Sequence, residues 1–540
     1  MALPDDNNVA KLVVLWGANP VDTGGGIRRE TLRNDLIKGA KLVSIDPKRI
    51  DIAKRADMWL RLRPNSDGAL ALGCLKVIIE EKLYDEDYVV NGTVGFDKLR
   101  EHVKTFSLDD VEQVTWVPKE QILKFARLYA KSKPAKMQLG NGIEMGINCF
   151  QTIRAINIII GICGNVGVPG GQVFLIPPPY FRPGKFYMPK EFPRHPEEGV
   201  GNEFKMAANN AYIPTQTFLT AILGEKPYPI KAAIGILTDP VVSYPNSERV
   251  YEAFKKLELL VMSEIFPTPS TALADIVLPI AWGAEHDTVG FWPGWYQDIR
   301  AYPKLIEPPG EAKTDAWWIT ELAKKLGFGE AFWKDETEVL DMMLAPSGLT
   351  WEEFKKKRII KATPEYKKPG TYRTPSKKIE IYSDQLQKMG YSPMPVWEEL
   401  TRFRYKPSPE YPLLMINRKD EAYVGTGFKD VKYHRKKKPE PTVEINPEVA
   451  QKNGLMEGDW AYIETHKGRI KQKVVLDPDL DPRIVSTSFG WWFPEEGETN
   501  DLFQFRRSNI NVLTDDSPPN DPQVGSIDMK STPCRVYKAE

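Results

Sequence analysis

Residues 11–20, KLVVLWGANP, followed by VDTGGGIRRETLRNDLIKGAKLVSIDPKR, constrain the fold more than any other stretch. The apolar run stops at Gly17, the chain passes a turn rich in glycine (Gly24, Gly25, Gly26), and a helical segment reaches about Gly39 before a second apolar run over residues 41–45. Strand, loop, helix and strand in that order make a βαβ unit, whose two strands must lie parallel. The loop after the first strand then sits at the carboxyl edge of the sheet, where backbone N–H groups and a helix N-terminus attract an anionic dinucleotide. Asp46, at the tip of the second strand, stands where a carboxylate takes a ribose hydroxyl or a base edge. The glycines do not spell GxGxxG, so a nicotinamide cofactor is allowed but not favoured. An ordinary tight strand-to-helix turn explains the segment equally well.

The same grammar recurs downstream. Residues 58–62 read as a strand, residues 64–68 as a turn, and an apolar helix follows; Asp67 either caps that helix, the simpler reading, or accepts the two N–H donors of a guanine edge. A helix over 119–132 leads to a strand over 135–139 and a second glycine loop, Gly140–Asn141–Gly142, before an apolar helix over 151–163. Two glycine loops at strand ends of one sheet converge on one edge. The pattern breaks at 164–171, and residues 172–226 are irregular, rich in proline and aromatics, and too long for a passive connector. A second α/β unit follows: KAAIGILTDPVV with Asp239–Pro240, an amphipathic helix over 247–256, the strand LELLVMSEIF, and ALADIVLPIA after Asp275. Its loops at 235–246 and 263–268 make a second nucleotide-like site in a second doubly wound sheet. Of the tryptophans beyond it, Trp292, Trp295, Trp317 and Trp318, the last two belong to a helix over 315–326 and read as core. From Tyr411 the character changes to a two-residue alternation with turns at Asn453–Gly454, Gly458–Asp459 and Lys467–Gly468, which predicts a closed, mostly β domain.

Composition excludes several classes. A chain of 540 residues implies about three or four domains. Its 73 Lys and Arg balance 73 Asp and Glu, so no global field draws it to nucleic acid or an anionic membrane, and the basic runs at 355–358 and 435–438 read as solvated surface. No secretory signal pattern and no window of about 18 apolar residues is present, which predicts a cytoplasmic protein without direct membrane insertion. Cys74, Cys149, Cys163 and Cys534 form no CxxC pair and read as reduced core thiols. His102, His195, His286, His434 and His466 share no HxH or HExxH spacing, which argues against a histidine metal centre. His286, in WGAEHDTVGF, reads as a surface or supporting side chain.

Several stretches, WGANP, SIDPKR, RPNSDGAL, LTDP, TALADIVLP and NPEVAQKNGLMEGDWAYIETHKGRI, together resemble the molybdopterin oxidoreductases, the dimethyl sulfoxide reductase family, over nearly the whole chain. FLTAILGEKPYPIKA and GEAKTDAWWITELAKKLGF are most similar to acetylene hydratase-like members, with formate dehydrogenase-like members beside them. The resemblance implies a molybdenum or tungsten ion held by two molybdopterin guanine dinucleotides. These would stretch between two doubly wound α/β domains, residues 1–165 and 166–405, the second with the long irregular insertion, closed by a C-terminal β-barrel over 406–540. Carried over by position, Gly17, Asn19 and Pro20 lie against one cofactor's phosphates, with Gly140 and Gly142 in the companion loop. Asp46 and Arg49 fall near its ribose and Asp67 on its guanine. Asp239, Glu264, Thr268 and Asp275 face the other dinucleotide, and Asn417, Arg418, Asn446, Ser488 and Trp491 cover the pterins.

In this family a region ahead of the first βαβ unit carries a four-cysteine iron–sulfur motif and the residue that ligates the metal. Here that unit begins near residue 11, and none of the four cysteines stands in. The resemblance therefore implies an iron–sulfur cluster only on a separate N-terminal or electron-transfer polypeptide, or in a reading frame that continues upstream. No catalytic residue and no metal ligand is assigned within the chain. The implied function is two-electron transfer of oxygen, sulfur or hydride to or from a small-molecule substrate; the alternatives are a non-redox enzyme of the acetylene hydratase kind and a scaffold subunit without metal.

Overall fold

Strand β1 (Leu12–Trp16) is apolar throughout because both of its faces are covered. Val13 and Leu15 pack with Leu42 against Leu32 of helix α1 (Gly25–Ile37), while Leu12, Val14 and Trp16 enter the larger core on the other face. Strands β2 (Lys41–Ile45) and β3 (Met58–Leu60) follow on one side. Helix α2 (Asp67–Glu80), helix α3 (Lys119–Lys131), strand β4 (Ala135–Leu139) and helix α4 (Cys149–Ile162) complete the unit. All four strands are parallel, in the order β3-β2-β1-β4, with Trp16 opposite both Ile45 and Leu139. A buried ion pair, Lys136 Nζ to Asp35 Oδ2 at 2.9 Å, ties β4 to α1. The chain is described here by a computed structural model covering residues 2–22, 25–179, 199–210, 212–291, 298–399 and 407–539. Gly24, His195, Trp292, Trp295 and the expected boundary at 405/406 lie outside those residues.

After helix α5 (Thr215–Gly224), a second unit repeats the first. Strand β5 (Ala232–Ile236), helix α6 (Ser247–Lys256), strand β6 (Leu259–Glu264) and strand β7 (Ile276–Pro279) form a parallel sheet in the order β7-β6-β5. Helix α7 (Asp315–Lys325) follows. The repeat extends to single hydrogen bonds. Gly17 leaves β1 at φ +57° and donates its N–H to Ile45 O at 2.9 Å; Leu237 leaves β5 at φ +46° and donates to Ser263 O at 3.0 Å. Asp57 accepts the Leu42 N–H at 2.7 Å, and Asp275 accepts the Leu260 N–H at 2.7 Å. The register thus makes Asn19 equivalent to Asp239 and Asp46 equivalent to Glu264.

The C-terminal part is a closed six-stranded barrel, as the alternation predicts. Its strands are β8 (Leu413–Arg418), β9 (Thr442–Ile445), β10 (Trp460–Thr465), β11 (Gly468–Leu476), β12 (Ile484–Ser488) and β13 (Thr532–Lys538). They run in the order β8-β12-β9-β11-β10-β13, and β13 closes the ring against β8. The barrel holds both α/β units: Lys48 pairs with Glu444 at 2.6 Å and Arg61 with Asp481 at 3.5 Å, while Asn246 donates to Asp516 at 2.7 Å and Arg506 pairs with Glu248 at 2.7 Å.

Three sequence expectations change. Trp317 is 45% exposed and Trp318 half-buried, so neither is core, because α7 buries only Thr320 and Ala323. Arg435 and Lys438 turn inward rather than into solvent: Arg435 stacks over Trp491 and Phe493, and Lys438 donates to Thr442 at 2.7 Å. Tyr372, Ile381 and Met394, which lie in the stretch expected to belong to the second unit, pack into the core of the first. The four cysteines are free and buried. Among the described residues no helix is long and apolar enough to cross a membrane.

Candidate functional site

The carboxyl edge of the first sheet is assembled from two loops that nearly touch. Gly140 N–H donates to Trp16 O at 3.0 Å, and a Cβ on Gly140 would fall 2.0 Å from Gly17 O. Glycine is required there by proximity, since φ at Gly140 is an ordinary −121°. Gly142 lies beside the same carbonyl with room to spare, its virtual Cβ at 3.4 Å. The two glycine loops therefore converge as expected. Pro20 is buried, and Asn19 turns its amide to Asp22 within its own loop.

Around this platform stand two carboxyls and an ammonium withdrawn from water. Asp67 accepts the Trp16 Nε1–H at 2.8 Å, and Asp46 accepts the Lys48 N–H at 2.9 Å. Asp67 is the first residue of α2 and does not cap it: Ser66 occupies the cap position and offers no side-chain bond. Burial pushes Asp67 up to about 6, with the Asp46 charge adding to the rise, and burial likewise pushes Asp46 up to about 6. Lys530, brought in by the loop before β13, is half-buried, and desolvation drives it down to about 8 despite the charges of Asp46 and Asp528. It donates to Asn417 O at 3.0 Å and to the Asn417 side chain, whose amide donates to Met529 O at 2.8 Å. Arg49 points elsewhere, pairing with Asp479 at 3.4 Å and lying over Trp59.

The second sheet presents an equivalent edge. Asp239 Oδ1 accepts the Ser270 hydroxyl at 2.5 Å and the Ser270 N–H at 3.2 Å, while its Oδ2 is buried without a partner among the described residues. Burial pushes this carboxyl up to about 7, with Glu264 and Asp430 adding repulsion. Glu264, raised in the same way, accepts the Ile265 N–H at 2.8 Å. Thr268 closes a turn, exchanging hydrogen bonds with Thr271 at 2.7 Å and 3.2 Å. Asp275 does not join this group. It is exposed at the amino end of β7, at the opposite edge of the sheet, where it holds Leu260 N–H as Asp57 does Leu42.

Within the barrel, three expected ligand contacts are already spent on the fold. Arg418 donates to Thr442 O at 3.2 Å and Ser486 O at 2.8 Å and pairs with Glu444 at 3.3 Å. Asn446 caps a short helix through the Glu448 N–H at 2.9 Å and donates to Leu480 O at 2.9 Å. Ser488 is fully buried, accepting the Thr442 N–H at 3.0 Å. Trp491 is also fully buried, edge-on to Tyr423 at 5.4 Å. Against these rings lies a side chain the sequence did not single out. Lys429 Nζ sits 3.5 Å from the Tyr423 ring centre and 4.7 Å from that of Trp491, with no hydrogen-bond partner among the described residues. Burial drives it down to about 7, against the pull of Asp420. Its neighbour Asp430, raised to about 6 by burial, bears on both Asp239 and Glu264.

Each sheet thus meets the barrel domain with carboxyls raised by burial; Lys530 bears on Asp46 in the first set, and Asp430, next in sequence to the buried Lys429, bears on Asp239 and Glu264 in the second. Carboxylates of this kind accept N–H and O–H donors, and the lysines offset anionic charge, so the donor set fits ligands that carry phosphates at one point and amine or hydroxyl donors at another. Among the described residues, Asp239 Oδ2 and Lys429 Nζ are buried polar atoms at this edge that lack a hydrogen-bond partner. Among the described residues no three His, Cys, Asp or Glu side chains are grouped to hold a metal ion. A hollow lined by Lys41, Asp57 and Glu120 lies at the amino ends of the first sheet, away from this edge.

Comparison with known proteins agrees with this arrangement. The profile for "Molybdopterin oxidoreductase" matches residues 6–325, and that for "Molydopterin dinucleotide binding domain" matches residues 413–533. Acetylene hydratase of Syntrophotalea acetylenica is 31% identical over 539 residues, which cover 92% of this chain and 73% of that one. The F420-dependent formate dehydrogenase subunit alpha of Methanocaldococcus jannaschii is 27% identical, over 94% of this chain and 74% of its own. The structure of acetylene hydratase from Pelobacter acetylenicus overlays with a TM-score of 0.89 at 27% identity, covering 100% of this chain and 79% of that one.

Proposed function

The chain belongs to the molybdopterin oxidoreductase family, and on that premise we propose that it grips two molybdopterin guanine dinucleotides of a molybdenum or tungsten enzyme, one on each α/β unit. The observation that carries the reading is the twinned edge: equivalent loops at Asn19 and Asp239, equivalent carboxyls at Asp46 and Glu264, and the unpartnered Asp239 Oδ2. On the first unit, the backbone of Gly17, Gly140 and Gly142 and the Lys530 ammonium would hold phosphates, while Asp46 and Asp67 would take the ribose and guanine donors. On the second, Asp239 and Glu264 would play the corresponding part, with Asp430 and Lys429 from the barrel domain.

When bound, such a group supplies a metal that changes oxidation state by two electrons as oxygen, sulfur or hydride is transferred to or from a small-molecule substrate. The chain's own contribution is to bind, to orient and to exclude water, since Asp67, Asp239 and Lys429 are buried and Asp46, Glu264, Asp430 and Lys530 half-buried. We assign the electron path to an iron–sulfur polypeptide; the Methanocaldococcus relative is itself named as a subunit. Four buried free cysteines are in keeping with a cytoplasmic location. The 31% identity to acetylene hydratase supports a second reading, addition of water without net electron transfer.

Protein made in a host that synthesises the cofactor should contain molybdenum or tungsten and release two guanine nucleotides per metal on acid hydrolysis. A chain with neither metal nor nucleotide overturns the proposal. Turnover without an electron acceptor selects the hydratase reading.

A further inference from the structure

At the end of the first sheet opposite its carboxyl edge, the amino ends of β1, β2 and β3 and the flank of α3 bound two joined hollows. They measure about 720 and 470 Å³ and share Lys41, Leu128, Lys131 and Ser132. Volumes of this order suit a small-molecule ligand. The wider hollow has apolar walls, made by Met58 at the start of β3 and by Leu123 and Leu128 on one flank of α3. The narrower one lies between Lys11, just ahead of β1, and the turn at Lys38, Gly39 and Ala40 that joins α1 to β2. Gly39 makes that turn at φ +89°, and the space beside it is open, with nothing within 4 Å of where a Cβ would stand.

Positive charge gathers here, although the chain as a whole carries equal numbers of basic and acidic residues. Lys11, Lys38, Lys41, Lys124 and Lys131 all line the hollows, and among the described residues none of their ammonium groups makes a hydrogen bond or an ion pair. Arg127, also in the lining, is already spent on Glu81 through bonds of 2.7 and 2.8 Å. At the start of the same helix Lys119 pairs with Asp109 at 2.6 Å, so acids are supplied to cations nearby but not to these. Lysines at helix C-termini complement the dipole, which accounts for Lys38 after α1 and Lys131 at the end of α3. It does not account for Lys11 and Lys41 at strand ends or Lys124 in mid-helix. Two carboxylates, Asp57 and Glu120, share the wider hollow; one Asp57 oxygen accepts the Leu42 N–H, and the rest are open to a donor. Ammonium groups crowded around a concave, partly apolar surface focus a positive field into it.

The geometry points to a binding site for a nucleoside polyphosphate. Its base would lie against Met58, Leu123 and Leu128, its ribose hydroxyls would donate to Asp57 and Glu120, and its phosphates would meet Lys11, Lys38, Lys41 and Lys131. An inorganic polyphosphate would leave the apolar walls and the carboxylates unused, and an apolar ligand would leave the ammonium groups unmatched. The site is at the other end of the strands from Asp46 and Asp67, so it is separate from the dinucleotide edge and stands whether or not that reading holds.

The test titrates the full chain with ATP, GTP, inorganic triphosphate and adenosine by calorimetry, and maps the site with the 8-azido analogue of the tighter nucleotide. One nucleotide should bind about tenfold or more tighter than triphosphate or adenosine, its affinity should fall as salt is raised, and the labelled peptides should contain Met58 or residues 120–132. Lys41→Gln combined with Lys131→Gln, both at exposed positions, should weaken the nucleotide by about tenfold or more while circular dichroism and melting stay unchanged. Lys325→Gln, on α7 of the second unit, should bind as the parent chain does. Triphosphate binding as tightly as the nucleotides, label confined to the peptides of Asp67 or Asp239, or undiminished affinity in the double variant would each overturn the proposal. Absence of binding would overturn it too and leave the lysines a solvated surface.

Discussion

Gly140→Ala tests the convergence of the two loops. The added methyl would lie 2.0 Å from Gly17 O, whereas such a contact needs about 3.2 Å, so one loop must retreat by roughly 1.2 Å. That retreat strains the 3.0 Å bond from Gly140 N–H to Trp16 O at the end of the central strand. Overpacking of this kind costs about 1–3 kcal/mol and a weakened buried hydrogen bond about 1 more, which for a unit of this size lowers Tm by roughly 4–16 °C. Gly142→Ala supplies the control, because its methyl would meet the same carbonyl at 3.4 Å, an ordinary contact, in a helical turn that favours alanine. The assay is urea unfolding of both variants, with guanine nucleotide content measured alongside. Equal stabilities for the two variants would refute the argument that proximity, and not backbone conformation, demands glycine at 140.

Three further outcomes are expected. Asp239 has a folded value near 7 against an ordinary 3.8, so the folded chain binds this proton more tightly; this group's contribution to the ligand-free protein is full below about pH 4, and up to about 4 kcal/mol of it is lost as pH rises through 7. Asp239→Asn should reduce the fall in stability between pH 5 and 8 in urea titrations, leaving the share of Asp46, Asp67 and Asp430, and an unchanged fall would remove Asp239 as a source. Asp275→Ala should cost about 1 kcal/mol by orphaning the Leu260 N–H, as Asp57→Ala should by orphaning Leu42, and both should keep full nucleotide content; nucleotide loss in Asp275→Ala would return that residue to the site. Lys136→Met removes the partner of the buried Asp35 and should cost about 3–5 kcal/mol, part of it recovered by adding Asp35→Leu, which still orphans the Ala10 N–H; calorimetry showing no recovery would contradict the pairing.

The sequence carried the architecture because its signals are periodic. A strand buried on both faces reads as a continuous apolar run, as at Leu12–Trp16, and the barrel's inward residues recur every second position, as at Ala461 and Ile463. Loop ends were legible for the same reason, which is why Gly17, Asp46, Asp67 and Asp239 all lie on the two carboxyl edges. Asp275 was misplaced because a carboxylate beside a strand looks alike at either end; only the register shows that it begins β7. Arg418, Asn446 and Ser488 sit in the expected stretches, but long-range partners absorb their polar atoms, and such pairings across dozens of residues leave no local trace. Lys429 and Lys530 were missed because a lysine in a polar loop carries no mark of burial until the barrel folds around it.

The ring of the C-terminal domain closes through β13, which inserts between β8 and β10 and comes after every other element in the chain. Lys530 stands two residues ahead of it, so one short segment both shuts the cylinder and delivers the cation to the first sheet. Opening the seam between β8 and β13 would therefore withdraw that charge from the first sheet as well, so barrel closure and placement of the ammonium are one event.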